Sequence, residues 1–87
     1  MTSRYRVEVS RPAARQIEAL DKTTQARIIS RLEALEGDPR PSAAKKLKGE
    51  RGTWRVRVGD YRIVYAIEDN RLLILVVKVG HRREVYR

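Results

Sequence analysis

A chain of 87 residues, 41% of them hydrophobic, has room for one compact domain over residues 1–87 and enough apolar content to exclude global disorder. It contains no cysteine, which removes disulfide frameworks and thiolate metal sites from consideration. Twenty Lys and Arg against eleven Asp and Glu leave a net charge of +9, a field that points to a polyanionic partner, nucleic acid first of all.

The opening MTSRYRVEV lacks the apolar stretch of a secretory signal, so a cytoplasmic protein is expected. Within it Tyr5, Val7 and Val9 alternate with Arg6 and Glu8, the pattern of a half-buried strand. Ser10 is a suitable N-cap and Pro12 suits a first helical turn. Ala13, Ile17 and Leu20 then place an apolar stripe on a helix of about three turns. DKTT breaks that helix and caps a second, in which Ile28, Leu32 and Leu35 repeat the spacing and Ile29 widens the stripe. Gly37 is the expected C-cap, and DPRP stops the helix.

SAAKKLKGERG reads as a basic connector, with a short helical turn expected over Ala43 to Leu47. Trp54 to Val58 alternates Trp54, Val56 and Val58 with Arg55 and Arg57. Gly59-Asp60 is a hairpin signal. Tyr61 to Glu68 continues the alternation, with Tyr61, Ile63, Tyr65 and Ile67 in phase and Arg62 out of phase. Leu72 to Val79 is apolar almost throughout, as in a strand covered on both faces. Its apolar run is far short of the ~18 residues of a membrane span. The tail GHRREVYR offers a short last strand. The order is β-α-α-β-β-β: an α+β domain with a helical hairpin packed on one face of a mostly antiparallel four-stranded sheet.

In that arrangement the helices cover the face bearing Trp54, Val56 and Val58 and leave Arg55, Arg57 and Arg62 on the open face. Charge is distributed to match. Residues 1–44 carry eight basic and six acidic side chains, and residues 45–87 carry twelve and five. Guanidinium forks bind phosphate oxygens bidentately and never lose their charge. HRREVY adds His81, Arg82 and Tyr86, and Lys45, Lys46 and Lys48 supply a footprint for a phosphate backbone. Phosphate clamps, one imidazole and one phenol suffice for cleaving RNA without metal, by attack of the 2′-hydroxyl on the adjacent phosphorus. The bland counterpart is a solvated face of an amphipathic sheet, with His81 at the surface and Tyr86 a packing residue. Carboxylates in the second half fall mostly at turns, a poor set for a metal-dependent nuclease.

KKLKG, WRVRVGDYRIVY and VGHRREVYR resemble signature blocks of the RelE/ParE toxin superfamily, RelE more than ParE, over nearly the whole chain. The resemblance implies a toxin of a type II toxin–antitoxin system that enters the ribosomal A site and cuts messenger RNA there. A 2′,3′-cyclic phosphate would be left, and no metal or cofactor needed. It implies roles for basic residues on the second strand, matched by Arg55 and Arg57, for the arginine of the next strand, matched by Arg62, and for a C-terminal pair matched by Arg82 and Tyr86. The implied partner is an acidic, RelB-like antitoxin encoded adjacently, which also carries the complex to operator DNA.

The family pattern has lysines where Arg55, Arg57 and His81 stand. Arginine does not release its proton in proteins, so Arg55 and Arg57 are expected to clamp charge while His81 and Tyr86 divide the acid and base roles. The alternatives are a ParE-like inhibitor of DNA gyrase that cleaves nothing, and a non-catalytic ribosome- or RNA-binding module.

Overall fold

The computed structural model describes residues 4–47 and 52–81. Strand β1 (Arg6–Val9) leads into helix α1 (Arg11–Glu18) and helix α2 (Lys22–Gly37), followed by β2 (Lys45–Lys46), β3 (Thr53–Val58), β4 (Tyr61–Glu68), a 3-10 turn (Asp69–Arg71) and β5 (Leu73–His81). Among the described residues the sheet has five strands in the order β1-β5-β4-β3-β2. β1 runs parallel to β5 and every other pair is antiparallel. The α+β class and the helical hairpin on one face are as expected; the strand count is five rather than four.

Local chemistry accounts for the helix boundaries. Ser10 Oγ accepts the Ala13 amide at 3.3 Å while the Ser10 amide donates to the Val76 carbonyl at 2.9 Å. One residue therefore closes β1 onto β5 and opens α1. Asp21 caps α2 by accepting from the Thr24 amide and hydroxyl, and these bonds, the hydroxyl's first, hold its carboxyl below the usual range. The C-terminus of α1 is closed from outside, since the side-chain Nε2 of Gln25 donates to the carbonyls of Ile17 and Glu18. Gly37 remains helical and Asp38, in extended conformation, is the actual C-cap.

Ile28, Leu32 and Leu35 of α2 pack with Ala13 against Val56, Ile63, Tyr65, Ile67, Ile74, Val76 and Val79. Ile29 does not widen this stripe; it is 49% exposed. Tyr65 is fully buried and donates its hydroxyl to the Pro39 carbonyl at 2.8 Å, and burial pushes its phenol up to about 12.

Ala43 to Leu47 was expected to turn as a helix, but Lys45 and Lys46 instead pair with Arg55 and Trp54, and the Leu47 amide donates to the Thr53 carbonyl. β3 has β4 on one side only, so its outer backbone groups need partners, and this short segment supplies them. A two-residue edge strand made of lysines is also a poor template for further pairing.

At the opposite edge β1 ends at Val9, so among the described residues no strand lies beside the last residues of β5 on that side. Gln16 of α1 answers there, its Oε1 accepting the Val79 amide at 2.7 Å. β5 also carries one extra residue: Val64 pairs with Lys78 and Tyr65 with Val76, so Val77 bulges and is exposed.

Candidate nucleic-acid interface

Side chains of directly opposed residues in a ladder share a face of the sheet. Val56 pairs with Ile63 and faces the helices; one residue along each strand, Arg57 pairs with Arg62 and Arg55 with Val64 on the other face. Lys45 pairs with Arg55 and joins them. The described residues lining the resulting hollow, about 260 Å³, are Ala43, Lys45, Arg55, Arg57 and Arg62. Gly80, opposite Arg62, puts no side chain over it. Arg57 is held in place by the bond its Nε donates to the Gly59 carbonyl at 2.8 Å.

Arg57 and Arg62 are like charges directly across a ladder, a repulsion that an anion between the two would relieve. Among the described residues no carboxylate lines the hollow. The ion pairs among the described residues are Arg4–Glu36, Arg6–Glu8, Arg40–Asp69 and Arg71–Glu68, all toward the end of the sheet where β1 begins and β4 ends. There Arg40 also sits over the Trp54 ring, 5.5 Å from its centroid. Tyr5 donates to Asp69 at 2.6 Å. The Arg40 guanidinium first, then the Tyr5 hydroxyl, holds the Asp69 carboxyl below the usual range. Toward the hairpin end, Asp60 of the turn is the described carboxylate set against Arg55, Arg57 and Arg62.

Of the residues singled out from sequence, Arg55, Arg57, Arg62 and Lys45 come together. Lys46 pairs with Trp54 and so belongs to the other face. His81 also departs from the cluster. It pairs with Tyr61, the two rings meeting edge to face at 5.7 Å, and it lines a separate groove with Gln16 of α1 and with Ala19 and Leu20 just beyond that helix. The parity of the ladder explains this: Arg62 faces outward, so its neighbour Tyr61 and the residue opposite Tyr61 face the helices. Lys48, Arg82 and Tyr86 lie outside the described residues. Sequence reasoning missed Lys78, which pairs with Val64 on the arginine face; the continuous apolar run of β5 hides its phase, and the bulge at Val77 shifts it.

The cluster can bind and neutralise phosphate oxygens, and it can stabilise negative charge that builds up during phosphoryl transfer. Arginines give it no proton acceptor.

The family model of the ParE toxin of the type II toxin–antitoxin system parDE matches residues 7–86. A curated relative described as a putative RelE-like toxin protein of Escherichia coli is 34% identical over 82 residues, covering 91% of this chain and 84% of its own length. Among solved structures, the RelE–RelB complex of the archaeon Pyrococcus horikoshii is similar at a TM-score of 0.81 and 29% identity, covering 94% of this chain and 97% of that one. The RelBE2 toxin–antitoxin complex of Mycobacterium tuberculosis matches with the same TM-score at 28% identity, covering 91% and 99%.

Proposed function

This chain belongs to the RelE/ParE superfamily of type II toxin–antitoxin toxins, and from that premise we propose that it is a ribosome-dependent endoribonuclease cutting messenger RNA in the A site. The observation that carries the reading is the gathering of Arg55, Arg57, Arg62 and Lys45 around one hollow on the helix-free face. In the reaction, the 2′-hydroxyl attacks the neighbouring phosphorus, the 5′-oxygen of the next nucleotide leaves, and the products are a 2′,3′-cyclic phosphate and a 5′-hydroxyl. Arg62, with Arg82, contacts the scissile phosphate and offsets the charge gained at phosphorus; Arg55, Arg57 and Lys45 hold the flanking backbone. Proton transfer is assigned to Tyr86, by family position, and not to His81, which is turned toward α1.

The partner that would restrain this activity is an acidic antitoxin of RelB type encoded beside the toxin, through which the complex would reach operator DNA. Support comes from relatives solved with RelB and from a net charge of +9, which an acidic chain complements.

A second reading, inhibition of DNA gyrase by binding alone, is favoured by the ParE family model. Translation and supercoiling assays run in parallel on the purified toxin distinguish the two. Ribosome-dependent RNA ends with cyclic phosphates support the nuclease; loss of supercoiling with intact message replaces it with the gyrase inhibitor.

A further inference from the structure

A second basic groove, about 580 Å³, lies around the hairpin edge from the first, between α2 and the β3–β4 turn. Arg27, Ser30 and Arg31 of α2 line one side, and Arg57, Val58 and Gly59 the other. Its two sides meet at Gly59, whose φ of +60° in the first position of a two-residue turn fits the II′ hairpin pattern. The Arg27 guanidinium lies against Gly59: a Cβ built there would stand in ordinary van der Waals contact with it, 3.5 Å from Nη1 and 3.8 Å from Cζ. From the other side, Arg57 donates to the carbonyl of the same glycine. Two guanidinium groups thus flank one turn, and the bond that fixes Arg57 lowers the entropy its side chain loses when an anion arrives.

Arg57 lines both this groove and the hollow on the open face. The basic surface therefore runs without a break around the hairpin edge. No described carboxylate lines the groove; Asp60, in the same turn, is not among its lining residues, and the ion pairs of the described residues are toward the opposite end of the sheet. We propose that the Arg27–Arg31–Arg57 groove is a second phosphate-binding subsite, which takes the backbone of the RNA strand as it continues past the cleaved phosphodiester. The inference rests on the endoribonuclease reading and extends it. An acidic protein segment fits less well. Docked helices and strands depend on large apolar anchors in pockets, and apart from Val58 the groove's apolar lining is Ala26 and Ala34, whereas guanidinium forks match phosphates directly.

The test is equilibrium binding of fluorescein-labelled oligouridylates of about 4 and about 16 nucleotides, spanning the range that one small fold covers. It uses the wild-type toxin, an Arg27→Gln/Arg31→Gln variant and an Arg27→Lys/Arg31→Lys variant, with thermal melting to establish that each folds. With the Gln variant, affinity for the long oligomer should fall at least tenfold more than affinity for the short one. The slope of log K against log salt for the long oligomer should shrink by about 1.4, corresponding to two phosphates at about 0.7 each. The Lys variant should keep the slope. Unchanged binding of the long oligomer, or equal losses at both lengths, overturns the proposal while leaving the nuclease reading intact. Intact RNA binding with lost affinity for a poly-glutamate probe overturns it in favour of a protein-docking surface. Failure of the wild-type toxin to bind either oligomer overturns the subsite proposal, while the ribosome-dependent nuclease reading stands or falls separately on the cleavage assay with ribosomes.

Discussion

Arg57 and Arg62 face each other across a ladder where a neutral pair would be more comfortable, and Arg57 is positioned further by its bond to Gly59. Like charges gathered on one face are where an anionic ligand is to be sought. His81 makes the opposite case, because its edge-to-face contact with Tyr61 on the α1 side is a packing arrangement. His81→Gln is accordingly expected to leave the height and shape of the pH–rate profile of RNA cleavage unchanged; a lost limb or a tenfold drop would return the imidazole to the mechanism. Tyr65 governs the alkaline limit of stability. Its phenol stays protonated to about pH 12 in the fold, whereas the unfolded chain ionises near pH 10. Between those values the unfolded state binds fewer protons, so stability must fall as pH rises, by on the order of 2–3 kcal/mol in all. Tyr65→Phe should flatten melting temperature against pH above 10, at a cost of about 1 kcal/mol at neutral pH for the lost bond to Pro39. An equally steep alkaline decline in the Phe variant would assign that limit to other groups.

Elements with a strong period were legible in the sequence. Both helices appear with their Ser10 and Asp21 starts, and the phase of β3 and β4 alone puts Arg55, Arg57 and Arg62 on one face. What stayed hidden depends on long-range partners. β2 has two residues and no periodicity, and it exists because the outer edge of β3 needs hydrogen bonds. The phase of β5 cannot be read through an unbroken apolar run with a bulge inside it, so the facing of Lys78 and His81 was illegible. Arg27 and Arg31, spaced i and i+4 on the non-apolar side of α2, were a readable signal, but nothing local showed that the hairpin turn meets them. Gln16 belongs to the hidden class too, since it acts as a substitute strand for the uncovered end of β5. Gln16→Ala removes the acceptor from the buried Val79 amide and should reduce unfolding free energy by about 1–3 kcal/mol in urea titration. A change below about 0.3 kcal/mol would mean that solvent replaces the glutamine without loss.

Across the whole molecule, charge is sorted along the sheet. Carboxylates pair with arginines where β1 begins and β4 ends, and the hairpin end keeps its cations. Self-repulsion among these should make stability rise with ionic strength. Between about 0.01 and about 0.15 M salt the Debye length shrinks from about 30 to about 8 Å, and the melting temperature is expected to increase over that range; a decrease would place the net effect in the ion pairs instead. The same sorting leaves a basic path from the open face around the hairpin edge, the path proposed for an RNA strand. The most direct test of the central claim is end-mapping of a defined message incubated with ribosomes and either wild-type toxin or Arg62→Ala. Wild type is predicted to yield A-site cuts ending in 2′,3′-cyclic phosphate, and Arg62→Ala to cut about 10²–10³-fold more slowly while melting normally. Cleavage by a folded Arg62→Ala variant at the wild-type rate would contradict it.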